Sequence, residues 1–215
     1  MGRLPFIFFG FVFVALVGNM VGQDPDLSRL PDAPQPGAIR YQPISDMQRL
    51  GWFVDSTVGP PSLLGGVFSA GFGTAINSPR EYGPHWEGFG KRYGMRLTGI
   101  SVGRAIEAAG GAVTGEDPRY FRTYHAPLSG RAKNILDLTF RAYGSDRKRH
   151  LAFVRLGANV GNNFLSNTWR ARSENDWQHA SLRCVEGIGG RAASNAFAEF
   201  LPELGNLLRK IPLPF

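Results

Sequence analysis

Cysteine is nearly absent from this chain: Cys184 stands alone in 215 residues. One thiol cannot form an intrachain disulfide, so the fold must be held by packing, and Cys184 reads as a small buried apolar residue. Acidic residues are also scarce, 17 against 24 lysines and arginines, which leaves a net charge of +7. Such a surplus suits anionic partners. No recognised nucleic-acid motif accompanies it, which points away from nucleic acid and towards anionic lipid or another envelope protein. Metal-ligand spacing is missing as well. His85, His125, His150 and His179 are dispersed, and only His85-Trp86-Glu87 sets a second donor beside a histidine, so neither a metal nor another cofactor is expected. The regular ten-residue alternation of a transmembrane barrel is not found. Ile211, Leu213 and Phe215 alternate as in an outer-membrane strand, but Pro212 and Pro214 would remove ladder hydrogen bonds there. A small outer-membrane β-barrel is therefore the alternative to a helical fold.

Charge is absent from two long stretches, and they carry different meanings. The first, Leu4 to Gly22, follows Arg3 and ends in small residues, the pattern of a secretory signal peptide over 1–22. An uncleaved anchor is the other reading, since the run approaches the ~20 residues that span a bilayer. The expected setting is thus export, outside the cytoplasm. The second stretch lies between Asp55 and Arg80 and contains Ser62-Leu63-Leu64-Gly65-Gly66-Val67-Phe68. Its prolines and glycines make it a poor span, so a buried core helix is expected, with interfacial contact as the other possibility.

Pro25, Pro31, Pro34, Pro36 and Pro43 mark residues 23–43 as an extended, disordered tether. A single helical domain over 44–215 should follow. Helix-start chemistry recurs in it: Ser45-Asp46-Met47-Gln48 fits a capping box, Ser78-Pro79-Arg80-Glu81 and Asp117-Pro118 place proline at a first helical position, and Asn175 precedes Asp176-Trp177. These signals predict helices near 45–57, 61–76, 84–113, 118–124, 129–143, 148–170 and 176–208, the last interrupted near Pro202. Along 84–113, Gly90, Gly94, Thr98, Ser101, Ala105, Ala108 and Ala112 recur at helical spacing. Gly157 and Gly161, and Gly187, Arg191 and Asn195, repeat the pattern. With 28 glycines in the chain, the expectation is an all-α, compact Gly/Ala-rich bundle in which backbones approach closely. Lys91, Arg92, Arg96, Arg104 and Glu107 make the long helix too charged to span lipid.

Three motifs could carry chemistry. Gly99-Ile100-Ser101-Val102-Gly103 has the spacing of a nucleophile elbow, but it lacks the strand before and the helix after the serine. Gly115-Glu116-Asp117-Pro118-Arg119-Tyr120-Phe121-Arg122 packs two carboxylates, two arginines and two aromatics into eight residues. Paired carboxylates serve as acid and base when their environments separate their pKa values. Glu116, Asp117 and Glu87 are the catalytic candidates, with Arg119 and Arg122 as ligand-binding ones. The simpler reading has Gly115 end a helix, Asp117 cap the next, and the arginines pair internally. Between Arg131 and Arg155 seven basic residues face Asp137 and Asp146 alone, and Arg147-Lys148-Arg149 would suit phosphate or lipid headgroups.

The 115–122 stretch, together with Ser194-Asn195-Ala196-Phe197-Ala198-Glu199-Phe200-Leu201-Pro202-Glu203, resembles a group of exported bacterial proteins of unknown function, mostly from Acidobacteria. The resemblance spans roughly residues 44–210 and implies an envelope setting and a mainly helical domain. It brings no activity with it. The function expected is that of a non-catalytic cell-envelope protein associating with membrane or partner helices, the alternative being an envelope hydrolase that uses a carboxylate such as Glu116.

Overall fold

A computed structural model describes residues 41–123 and 126–210, and they are mainly helical. The expected signal peptide, the tether as far as residue 40, His125 and the Ile211-to-Phe215 ending lie outside the described residues. The order is α1 (Asp46–Val58), α2 (Pro60–Ala75), α3 (Trp86–Thr114), α4 (Leu128–Phe140), β1 (Arg141–Tyr143), β2 (Arg149–Leu151), α5 (Phe153–Leu165) and α6 (Trp177–Lys210). Helix α3 is the spine, with α1, α2 and α5 packed along it, while α6 packs on α4 and α5. The only strands among the described residues are the antiparallel pair β1–β2, in the register Ala142 to His150.

Local chemistry sets most of the helix boundaries. Ser45 and Gln48 form the capping box that starts α1. Pro60 forces Gly59 into an extended conformation, which ends α1 and starts α2. Gly115, with φ of 80°, closes α3 in the left-handed conformation that glycine adopts without strain. Helix α6 starts on Asp176, whose Oδ1 accepts the His179 N–H at 2.8 Å, one residue later than Asn175. It then runs through Pro202 without a break.

Three expected helices do not form as drawn. Residues 117–123 form no helix, and other elements satisfy their backbone: Tyr143 O accepts the Asp117 N–H, Asn134 donates to Phe121 O, and Glu199 accepts the Thr123 N–H. The helix expected to reach residue 143 stops at Phe140, and the one expected from residue 148 starts at Phe153, because a hairpin lies between them. Its turn is made by Gly144-Ser145-Asp146-Arg147, where Asp146 accepts the Lys148 N–H and Arg147 takes a φ of 63°. After Ser78-Pro79 only the short 3-10 turn Arg80–Tyr82 forms.

The apolar core is small. Six of the eleven buried apolar residues among those described are alanines, and the main cluster is Tyr41, Phe121 and Leu138 with Tyr120 and Tyr143 against it. Tyr41 and Tyr143 stack at 4.4 Å, and Phe121 meets both edge-on. Packing therefore includes Tyr41, ahead of Ile44.

Several helices are turned with their apolar faces outward. In α1, Met47, Leu50, Val54 and Val58 form an exposed stripe, while Arg49, Ser56 and Thr57 are buried beside Trp52. In α5, Phe153, Val160 and Phe164 are exposed, while Arg155 and Ala158 are buried. The charge-free α2 buries Ser62, Gly65, Gly66 and Ala70 and exposes Leu64, Val67 and Phe68. The largest fully buried side chains among the described residues are Glu199 and Asp117.

The small-residue stripe has a different use from the one expected. At Gly90, Gly94, Gly157 and Gly161 nothing lies within 4 Å of where a Cβ would stand, so no backbone is drawn close there. Close approach occurs at other glycines, and mostly to polar side chains. A Cβ at Gly73 would stand 2.9 Å from Cδ of Arg92, and one at Gly103 would stand 3.1 Å from Nδ2 of Asn162. At Gly111 it would collide with Arg49 and the Glu116 carbonyl.

Candidate functional site

The acidic motif lies where α3 ends and the chain crosses to α4. Gly115 turns it, and Glu116 reaches to the start of α5, accepting the backbone N–H of Val154 at 3.0 Å and of Arg155 at 3.1 Å. Ala152, at the cap position of α5, has no side-chain acceptor of its own. Glu116 thus performs N-capping from a distance, satisfying first-turn amides that would otherwise lack partners. Its carbonyl accepts from Arg49 Nη1 at 2.8 Å. Asp117 is fully buried, pairs with Arg119 at 2.7 Å and accepts from the Tyr41 hydroxyl at 3.1 Å. Burial and the neighbouring Asp117 carboxylate push the Tyr41 pKa well above its ordinary value. Glu87 is elsewhere, exposed on the first turn of α3 and paired with Lys91 at 2.6 Å. The three carboxylates singled out by sequence therefore do not share one cleft.

Arg119 also reaches Gln42 O and lies over the Phe121 ring, while Arg122 donates to Glu199 O at 3.1 Å. The last of these contacts joins the 115–122 and 194–203 stretches. Glu199, fully buried on α6, accepts from the Tyr120 hydroxyl at 2.6 Å, from the Thr123 N–H and from Arg131 Nε at 3.2 Å. Burial and that carboxylate raise the Tyr120 pKa far above the ordinary phenol value.

The basic segment is divided by the structure. Arg131 pairs with Glu199 and Glu203, Arg141 and Arg149 with Asp137, and Arg155 with Glu107. Arg149 also lies over the Tyr143 ring. Lys133, Arg147 and Lys148 remain exposed, the last two at the hairpin tip. Close by in the chain, Phe140, Leu151 and Phe153 are exposed apolar residues.

Ser101 sits inside α3 and donates to Leu97 O, as a helical serine does. His150 pairs with Asp146 and His179 with Asp176 at the surface. No group of three metal-ligating residues occurs among the described residues. Cys184 is half-buried, and its burial raises the thiol pKa.

A cleft of about 1280 Å³ opens where α3 and α6 flank α5. Its lining includes eight arginines and only four glutamates. At its inner end Arg104, Arg155 and Arg191 converge on the single carboxylate of Glu107, with Arg104 at 2.9 Å and Arg155 at 3.0 Å. Burial pushes the Glu107 pKa up, but the three guanidiniums outweigh it and hold the carboxyl down at about 2. Burial, helped by Arg155, lowers Arg191 to about 9. Sequence reading noted Arg104 and Glu107 only as obstacles to a membrane span, and Arg191 only as part of a small-residue stripe. Isolated charges within Gly/Ala-rich helical runs were the available signal.

No protein-family model, curated protein or solved structure matches this chain.

Proposed function

We propose that this is a non-catalytic protein of the bacterial cell envelope that lies against an anionic membrane surface. The observation that carries the reading is the outward turn of the apolar faces of α1, α2 and α5. Exposed apolar stripes of that kind are costly in water and mark a surface that meets another apolar phase. An anionic bilayer is favoured over a partner helix by charge. The chain carries +7, and the hairpin tip sets Arg147 and Lys148 in the same stretch as exposed Leu151 and Phe153. Basic and aromatic groups together are the composition of an interfacial site. No described helix is long and apolar enough to cross a membrane, so the contact proposed is through helix faces. The N-terminal pattern of an export signal fits the same setting. No observation favours hydrolysis at Glu116, both of whose oxygens accept helix N–H groups.

Flotation with vesicles tests this. The protein should float with phosphatidylglycerol-containing vesicles and far less with pure phosphatidylcholine. The attraction is about 1 kcal/mol per basic residue near the surface, so the double change Arg147→Ala, Lys148→Ala should weaken binding roughly thirtyfold at low salt. A protein that never floats and instead sediments as a defined oligomer would show that the apolar faces cover one another, and would end the membrane reading.

A further inference from the structure

The cleft between α3 and α6 holds an uncompensated charge. Three guanidiniums, those of Arg104, Arg155 and Arg191, share one carboxylate at Glu107. All four side chains are at most 16% exposed. Arg155 and Arg191 alone already set two guanidiniums against one carboxylate, and a surplus positive charge on side chains so little exposed is unfavourable unless something pairs with it. Arg155 has further acceptors, the carbonyls of Leu138, Arg141 and Asp117. Arg191 donates to Glu107 alone among the described residues, and it lines the open cleft. Approaching this charged floor, the cleft presents half-buried Met95, Ile100, Leu156 and Ile188. Gly99 and Gly190 keep its walls open, with nothing within 4 Å of a Cβ at either.

We propose that this cleft binds an amphipathic organic oxyanion, its carboxylate or phosphate head pairing with Arg191 beside Glu107 and its apolar part lying against Ile100, Leu156 and Ile188. The volume is ample for a single acyl chain with its head group, since ligand pockets typically run about 300–1000 Å³. The depressed Arg191 pKa agrees with a cation awaiting a counter-charge. A planar guanidinium also offers paired donors to a carboxylate or phosphate.

The test is calorimetric titration of the purified protein with decanoate and decyl phosphate, below their micelle concentrations, with decanol and inorganic phosphate as controls. The expected result is one site per chain for at least one of the two anionic amphiphiles, with both controls at least tenfold weaker. The tighter of the two names the head group, a fatty acid for decanoate and a phospholipid-type phosphate for decyl phosphate. Arg191→Gln should weaken binding about tenfold or more, the worth of one charge-assisted hydrogen bond. Gly190→Leu, which keeps every charge and grows into open space, should weaken it comparably by filling the cleft. If Arg191→Gln does not fold, Gly190→Leu decides alone. Affinity for neither anion, affinity matched by decanol, or affinity unchanged by Gly190→Leu would each overturn the proposal.

Discussion

Arg155 donates from Nε to the Oε1 of Glu107 at 3.0 Å, and the two side chains are 8% and 7% exposed. They come from α5 and α3, so this one ion pair fastens the two helices at the floor of the cleft. Breaking a buried pair by removing one partner leaves the other charge stranded, at a cost of about 3–5 kcal/mol. Glu107→Gln should lower stability by about that amount in urea unfolding. Glu107→Gln combined with Arg155→Met should cost less than the two single changes added, because the partners are lost together.

Glu107 also sets an acid limit. Its folded pKa, about 2, lies below its ordinary value of 4.5. A depressed carboxyl binds fewer protons in the folded state than in the unfolded one. The stability it contributes is therefore complete above about pH 4.5 and is lost as pH falls through about 2. Unfolding free energy measured from pH 6 down to pH 2 should fall mainly below pH 4.5, and Glu107→Gln should flatten that slope.

At the alkaline end Tyr41 and Tyr120 act in the opposite sense. Both have raised pKa values, so the folded state keeps protons that the unfolded state gives up from about pH 10 upward. Their contribution is present below that pH and lost above it. Ultraviolet titration of phenolate should find these two tyrosines silent until the protein unfolds, and Tyr120→Phe should remove one silent group.

Glu116 offers a milder test. Removing a helix cap costs about 1 kcal/mol. Glu116→Ala should lower stability by that much and speed amide exchange at Val154 and Arg155, leaving the helical content unchanged. Unchanged exchange at those two amides would show that the capping contact is absent in solution.

The glycines separate into two classes by the same logic. Gly90 faces open space on α3, so Gly90→Ala should stabilise by about 0.5–1 kcal/mol through helix propensity. Gly111→Ala would drive a methyl group into Arg49 and the Glu116 carbonyl and should destabilise by about 1–3 kcal/mol. Thermal melting of the two variants should therefore shift in opposite directions.

Much of the fold was legible in local signals. The Ser45 capping box and Gly115 as a helix end are backbone chemistry, and the helices read at 45–57, 61–76 and 84–113 lie within two residues of α1, α2 and α3. The hairpin was missed although Gly144-Ser145-Asp146 is turn chemistry: the break at 144–147 was read as a loop between two helices, and strands of three residues are too short to show a period of their own. Asp117 was expected to cap a helix, but its oxygens are occupied by Arg119, two residues on, and by Tyr41, 76 positions away, the second a contact that no local pattern encodes. The cleft was hidden for a further reason. Glu107 and Arg191 lie 84 positions apart, and each alone looks like an ordinary charge on a helix.

Helix α1 carries its apolar stripe on one side and Arg49, Ser56 and Thr57 on the other. Half a turn about its own axis would bury the stripe, which is the orientation that hydrophobic collapse by itself would select. The rotation is held by polar anchors: Arg49 on the Glu116 carbonyl at 2.8 Å, and Arg104 over the Trp52 ring at 5.1 Å. The rotational setting of this helix is thus electrostatic in origin. Guanidinium, itself a competitor for carbonyls and aromatic faces, should release it at concentrations where urea of equal denaturing strength leaves it in place.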